Sequence, residues 1–146
     1  MILELLKKGY AEKKDLNCSE AILFAANSAY KLGLNDTALK LSSGFGRGMA
    51  VESVCGAISG AIMVLGLLTV ESVAHQSFEV QLFTKELIDR FEEALGDREC
   101  INLVPRYRTL EHKCNKLIFK AAEILDEILI REKLLEKFRG SDEKNQ

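Results

Sequence analysis

Four cysteines, Cys18, Cys55, Cys100 and Cys114, are the residues of this sequence that could do chemistry together. Thiolates attack disulfides, and they also bind zinc and iron–sulfur clusters. No two of the four form a C-x-x-C pair, so the strongest sequence signal for a zinc ribbon or a thioredoxin-type motif is missing. Any site that the thiols share must therefore be assembled by the fold.

Each cysteine lies near the predicted start of a helix. Cys18 directly follows the predicted N-cap Asn17, Cys100 lies three residues after the candidate cap Asp97, and the other two fall near the starts of two more helices. Helix N-termini carry unpaired N–H groups and a partial positive charge, which favour a thiolate over a thiol. The pattern predicts activated thiols of low pKa. The alternative is that they are small buried hydrophobic residues.

Apolar residues at helical spacing predict helices along the whole chain, and no stretch shows the alternation typical of a β-strand. The predicted helical segments are 2–14, 17–31, 35–41, 51–69, 72–95 and 109–138. A short turn is predicted at 97–103, and Pro105 interrupts the chain after it. We expect an all-α fold, a single-domain bundle of five to seven helices at residues 1–139 around a central buried helix. A disordered polar tail is expected at 140–146.

The central helix is predicted to contain a stripe of small residues. Gly56 and Gly60 lie one turn apart, and each interior glycine costs about 1 kcal/mol relative to alanine. A helix accepts this cost where another backbone or a ligand must come close. The stripe indicates tight helix packing, and it would also let a second thiol, a cluster or a small molecule approach Cys55. Residues 53–70 hold no charge, but the surrounding amphipathic helices could cover them, so a membrane span is disfavoured.

The overall charge excludes some partners. A net charge of −2 provides no field that would attract nucleic acid or anionic lipid. The first residues lack the basic start and cleavage site of a signal peptide, so we expect a cytoplasmic protein. Thiols are kept mostly reduced in that compartment, which argues against permanent structural disulfides.

The sequence resembles the C-GCAxxG-C-C family of redox-active proteins, with all four cysteines in order between residues 5 and 130. The resemblance is carried by Asn17-Cys18-Ser19-Glu20-Ala21, Gly44-Phe45-Gly46-Arg47-Gly48-Met49, Val54-Cys55-Gly56-Ala57-Ile58-Ser59-Gly60-Ala61, the region from Phe91 to Cys100, and Cys114 with Ala121-Ala122-Glu123-Ile124-Leu125. It implies that the four cysteines are functional, and it supplies no substrate. Arg47 stands where the family loop often carries another glycine, which adds a cation that either sits near a thiolate or is solvated on the surface.

Three hypotheses follow for function. The leading one is reversible dithiol/disulfide chemistry by Cys18, Cys55, Cys100 and Cys114 with an unidentified electron donor or acceptor. Cys18 and Cys55 are favoured as one pair, although sequence cannot choose among the three pairings. The second is a binding module in which the same cysteines hold zinc or an iron–sulfur cluster. The third is a structural helical protein that pairs as a homodimer through apolar faces.

Overall fold

The fold is all-α, as predicted. A computed structural model describes the backbone of residues 1–144 and the side chains of residues 1–141. Within that part of the chain there is no β-strand, only two isolated bridges. The helices are α1 (Ile2–Lys7), α2 (Tyr10–Lys13), α3 (Cys18–Tyr30), α4 (Asp36–Lys40), α5 (Gly56–Thr69), α6 (Phe78–Leu95), α7 (Cys100–Tyr107), α8 (Asn115–Arg131) and α9 (Leu134–Lys144).

The described residues form nine α-helices, so the expected number of five to seven was too low. The predicted helix 2–14 is divided at Gly9, whose φ of 87° lies in the left-handed region, and it gives α1 and α2. The predicted helix 109–138 begins only at Asn115 and is divided at Lys133, with φ of 53°, to give α8 and α9. Gly9 was a readable signal for a helix boundary, but nothing in the type of Lys133 indicates a break.

Two other boundaries differ from the predicted ones. The central helix α5 begins at Gly56 rather than at residue 51, because Glu52 has a left-handed φ of 59° and Ser53, with ψ of −138°, is not helical. Pro105, which was expected to interrupt the chain, lies inside α7, and the helix ends two residues later at Tyr107.

The polar end of the chain is helical as far as it is described. Residues 140–144, expected to begin a disordered tail, belong to α9, which runs through Lys144. Residues 145 and 146 of the expected tail lie outside the described residues. None of the described helices has both the length and the apolar character needed to cross a membrane.

Helix α5 lies at the centre of the bundle and packs against α3, α6, α8 and α9. Its closest neighbour is α3, because a Cβ atom added at Gly60 would lie 2.5 Å from the backbone oxygen of Ser19. The glycine therefore allows direct contact between the two backbones, as the stripe of small residues predicted. This contact positions the N-terminus of α3 beside the N-terminus of α5.

A buried carboxylate connects three helices at the side of the bundle. Asp126 of α8 accepts hydrogen bonds from the backbone N–H groups of Ile2 at 3.1 Å and Leu3 at 3.0 Å, at the start of α1. It also accepts a hydrogen bond of 2.6 Å from the hydroxyl of Tyr30, at the end of α3. The ammonium group of Met1 pairs with the same carboxylate at 3.0 Å. Asp126 thereby caps α1 and fixes its position relative to α3 and α8.

Replacing this carboxylate should destabilise the fold. In Asp126→Ala, the N–H of Ile2 and the hydroxyl of Tyr30 lose a buried acceptor, and we expect the free energy of unfolding to fall by about 2 to 4 kcal/mol. Urea titration measures the change. Asp89→Ala, which removes an exposed i,i+4 pair with Lys85, is the control and should cost less than about 0.5 kcal/mol. Equal losses in the two variants would contradict the capping role.

Candidate functional site

All four cysteines lie at the N-terminal ends of helices, as the sequence predicted. Cys18 is the first residue of α3 and Cys100 the first residue of α7, while Cys55 and Cys114 are the N-cap residues of α5 and α8. The four helix starts are far apart in sequence, so different local features bring each of them to the site.

The start of α3 is fixed by the predicted capping box. The Asn17 side chain accepts a hydrogen bond of 3.0 Å from the N–H of Glu20, and the Glu20 carboxylate accepts one of 3.0 Å from the N–H of Asn17. The amide of Asn17 also donates to the backbone oxygen of Ser43 at 3.0 Å, which joins the helix start to the glycine-rich loop. A Cβ atom at Gly46 would lie 2.6 Å from this amide, so the loop can approach only because residue 46 is glycine.

Cys18 lies close to Cys55 because Gly56 has no side chain. A Cβ atom at Gly56 would lie closer than 3.0 Å both to the sulfur of Cys18 and to the backbone oxygen of Phe45. Gly56 directly follows Cys55, so the sulfur of Cys18 rests on the first turn of α5. The expectation that the small-residue stripe admits a second thiol near Cys55 agrees with this contact.

Cys55 and Cys100 are joined through an isolated β-bridge between Val54 and Glu99. The N–H of Cys55 donates to the backbone oxygen of Arg98 at 2.9 Å, and the N–H of Cys100 donates to that of Ser53 at 2.6 Å. The bridge sets the starts of α5 and α7 side by side. Both cysteines are buried, with exposed fractions of 3% and 9%.

Cys114 is the fourth thiol and is only half-buried. It follows a tight turn that is closed by two backbone hydrogen bonds between Thr109 and Lys113, at 2.7 and 3.2 Å. The guanidinium of Arg108 donates to the sulfur of Cys114 at 3.5 Å. The neighbouring His112 points elsewhere, because its side chain is exposed and lies 3.7 Å from Glu111.

A left-handed turn covers the site. Arg47, Gly48, Met49 and Ala50 all have φ between 55° and 64°, a conformation that costs about 1–2 kcal/mol for each residue that has a side chain. Gly48 is enclosed, because a Cβ there would lie 2.9 Å from the Cβ of Cys100. The backbone N–H of Arg47 points to the sulfur of Cys18 and lowers its pKa. The strained turn therefore contacts two of the four cysteines.

The thiols are not activated in the way that the helix starts predicted. Burial raises the pKa of Cys18 and of Cys100, and it raises the pKa of Cys55 from 9.0 to about 12. Backbone N–H groups at the helix starts oppose the shift at Cys18 and Cys55 but are outweighed. The predicted low pKa was wrong for these three cysteines, since removal of a thiolate from water outweighs the helix N-terminus.

The four thiols share one neighbourhood without being bonded. Negative charge on Cys114 raises the pKa of Cys18, and charge on Cys18 raises the pKa of both Cys55 and Cys100, so every thiol interacts electrostatically with at least one other. All four are free, and no two are at disulfide distance. Within the described part of the chain, no three Cys, His, Asp or Glu side chains are grouped closely enough to hold a metal ion.

Sequence reasoning missed two features of this site. The first is Arg108, whose position six residues before Cys114 carries no motif. The second is the bridge between Val54 and Glu99, because single paired residues produce no periodic pattern. The glycine-rich loop was visible in the sequence, but its left-handed backbone was not, since Arg47, Met49 and Ala50 rarely adopt that conformation.

Comparison with known proteins gives one match. A family model described as "Putative redox-active protein (C_GCAxxG_C_C)" matches residues 16–128, a range that contains all four cysteines. Neither the curated proteins nor the solved structures contain a significant match to the chain.

The contact between Cys18 and Gly56 can be tested by adding one methyl group. Gly56→Ala puts a Cβ against both a sulfur and a backbone oxygen, and we expect it to destabilise the protein by about 1 to 3 kcal/mol. Gly66→Ala in the same helix is the matched control, because nothing lies within 4 Å of its added Cβ. It should stabilise by about 0.5–1 kcal/mol through helix propensity. Thermal and urea unfolding would show the two opposite signs.

The buried thiol of Cys55 should make the fold sensitive to alkaline pH. Its pKa is about 12 in the folded protein against 9.0 for an ordinary thiol, so the folded state holds the proton more tightly. The resulting stability is complete below pH 9 and is lost as the pH rises towards 12, by at most about 1.4 kcal/mol per pH unit. Unfolding titrations over this range should show a shallower loss for Cys55→Ala than for the wild type. Parallel curves would contradict the shift.

Proposed function

Because the chain belongs to the C_GCAxxG_C_C family of redox-active proteins, we propose that it is a thiol redox protein whose four cysteines carry out reversible dithiol/disulfide exchange. Cys18 and Cys55 form the internal pair, and Cys100 and Cys114 are the neighbouring thiols with which the pair can exchange. The protein would work in the cytoplasm, where thiols are kept reduced.

The observation that carries this proposal is the position of the Cys18 sulfur on Gly56. It lies against the residue next to Cys55, at a place where any side chain would exclude it. Tight packing alone would be served equally well by a methylene group in place of the sulfur. The sulfur of Cys18 lies beside the N-cap of α5, and that N-cap is Cys55. This arrangement supports sulfur exchange.

The reaction conserves atoms and electrons without a cofactor. A thiolate of the protein attacks a substrate disulfide, forms a mixed disulfide and releases one substrate thiol. The second cysteine of the pair then attacks the mixed disulfide, releases the second substrate thiol and leaves an intramolecular disulfide. Two protein thiols are oxidised and one substrate disulfide is reduced, and the reverse sequence restores the protein.

The buried, protonated thiols make this exchange selective. Cys55 has a pKa of about 12, so almost none of it is thiolate at neutral pH, and it reacts slowly with oxidants in solution. Formation of the Cys18–Cys55 bond needs the sulfurs to close to about 2.05 Å. The turn at residues 47–50 covers Cys18, and its strained backbone is the segment that can most readily rearrange to permit the approach.

Metal binding by the same four thiols is the second candidate. Ionised thiols at this site repel each other, as the pKa shifts of Cys18, Cys55 and Cys100 indicate, and a zinc ion or an iron–sulfur cluster would offset that repulsion. The described arrangement lacks three ligands close enough to share one ion, so the thiols would have to move together first. Dithiol exchange is the stronger proposal because it needs only two of the sulfurs to approach each other at a time.

The internal pair can be identified from the products of mild oxidation. Trypsin separates the four cysteines into peptides 15–31, 48–85, 99–106 and 114–116, so any cross-link identifies a pair directly. We expect peptide 15–31 to be linked to peptide 48–85, with the loss of two hydrogens. Absence of every intramolecular link after oxidation by a disulfide would overturn the proposal.

Two variants and one analysis complete this test. Cys18→Ser and Cys55→Ser should each abolish the link between peptides 15–31 and 48–85, while Met63→Leu serves as a control for general oxidation damage. Zinc and iron are measured in the same anaerobically purified sample. About one equivalent of metal, lost together with any one cysteine, would favour the metal-binding candidate instead.

A further inference from the structure

The arginines of this chain differ in the groups that their side chains contact. Most contact an acidic group or a backbone oxygen: Arg90 contacts Glu86 and Glu127, Arg98 contacts Glu92, Arg131 contacts Glu86 and Glu132, and Arg139 contacts the backbone of Tyr30. Arg47, Arg106 and Arg108 form no ion pair with any side chain among residues 1–141. The charge of Arg106 acts on Asp97, whereas Arg47 and Arg108 act on cysteines.

Arg108 is held at the half-buried thiol. Its guanidinium donates to the sulfur of Cys114 at 3.5 Å, which is the single hydrogen bond of its side chain among residues 1–141. A guanidinium has five N–H donors, so most of its capacity stays available at the sulfur. Lys113, which directly precedes Cys114 and is exposed, adds a second positive charge without an acidic partner in the described chain.

Arg47 supplies positive charge from the loop before α5. Its backbone N–H points to the sulfur of Cys18, and its side-chain charge acts on Cys100, where it opposes burial and the charge of Glu52. Glu52 lies on the same loop but does not come within ion-pair distance of Arg47. Both arginines therefore place positive charge near the thiols, Arg108 from the C-cap of α7 and Arg47 from the loop before α5.

We propose that the substrate of this thiol site is a low-molecular-weight anionic disulfide, whose carboxylate groups are bound by Arg108 and Arg47 while its sulfur reaches Cys114. Guanidinium groups bind carboxylates through paired, charge-assisted hydrogen bonds, which gives them specificity for such anions. Cys114 is half-buried, so a small molecule reaches it more easily than a folded protein. This inference rests on the proposed thiol exchange and adds its substrate class and its first thiol.

The proposed exchange begins at Cys114 and then passes to the more deeply buried thiols. The Cys114 thiolate attacks one sulfur of the substrate disulfide, forms a mixed disulfide and expels one substrate thiolate. Cys18 then attacks the sulfur of Cys114 and expels the second substrate thiolate, so that a Cys18–Cys114 disulfide replaces the substrate disulfide. Exchange with Cys55 moves the bond to Cys18–Cys55 and restores Cys114 as a thiol. Two protein thiols are oxidised and two substrate thiols are released.

The test compares three aliphatic disulfides of different charge: anionic dithiodipropionate, neutral hydroxyethyl disulfide and cationic cystamine. The reduced protein is mixed with each, and mixed-disulfide formation on peptide 114–116 is followed by mass spectrometry. The three also differ in the pKa of the leaving thiol, so each rate is divided by the rate of the same disulfide with a small free thiol. We expect this normalised rate to be highest for the anionic disulfide. Arg108→Gln and Arg47→Gln should each lower its rate roughly threefold to tenfold while changing the rate of the neutral disulfide little.

A matched control removes one positive charge elsewhere. Lys137 is exposed beside the C-terminal end of α5, about 20 Å along that helix from Cys55, so Lys137→Gln alters the net charge equally. It should leave the ratio of anionic to neutral rates unchanged. Added salt should reduce the ratio in the wild type and in Lys137→Gln, and much less in the Arg47 and Arg108 double variant.

The outcomes separate this inference from the function on which it rests. If the normalised rates of the neutral and anionic disulfides are equal and the arginine variants behave like Lys137→Gln, the anionic substrate is overturned while dithiol exchange stands. A first mixed disulfide on Cys18 rather than on Cys114 would overturn the order of attack. If none of the three disulfides yields any intramolecular bond, the proposed function itself fails.

Discussion

The close approach of α3 and α5 is the constraint on which the rest of this structure depends. Gly60 lets the backbone of α3 lie directly on α5, and Gly56, one turn earlier, leaves room for the sulfur of Cys18. Gly60, inside the helix, costs about 1 kcal/mol relative to alanine, and the chain tolerates this cost because a larger residue there would separate the helices. Separation would remove Cys18 from Cys55, and it would also detach the glycine-rich loop that Asn17 holds against α3.

The strained turn at residues 47–50 lies against the same site, because one of its backbone N–H groups points to the sulfur of Cys18. Left-handed backbone at Arg47, Met49 and Ala50 costs of the order of 3–6 kcal/mol in total, an amount that is substantial beside the stability of a typical domain. The surrounding contacts hold the turn in place: the N–H of Ser53 donates to the oxygen of Gly48 at 3.0 Å, and Gly48 packs on Cys100. Strain of this kind persists where the neighbouring structure demands it and is concentrated at functional sites. Here it directs a backbone N–H to a cysteine.

Local sequence signals predicted local structure well and distant structure poorly. The cap at Asn17, the end of α6 at Gly96 and the position of each cysteine at a helix start were all readable, because each depends on a few adjacent residues. The division at Lys133 and the helix through Pro105 were not, since tertiary packing there overrides residue preference. The pairing of Val54 with Glu99 and the contact of Arg108 with Cys114 join segments that no periodic pattern connects. The type of site was therefore predictable and its assembly was not.

The balance between burial and helix dipoles explains why the buried thiols have raised pKa values, and why the reaction needs arginines that are free to bind substrate. A helix N-terminus stabilises a negative charge by about 0.3–1 kcal/mol, which is less than one pKa unit, whereas burial can shift a pKa by several units. Helix starts alone therefore cannot offset burial at Cys18, Cys55 and Cys100, and the raised pKa of these thiols follows from this inequality. Reaction with a small disulfide needs a thiol that solvent can reach and a group that binds the substrate. Cys114 with Arg108 beside it meets both conditions, so reactivity is expected to begin at the surface and to pass inwards.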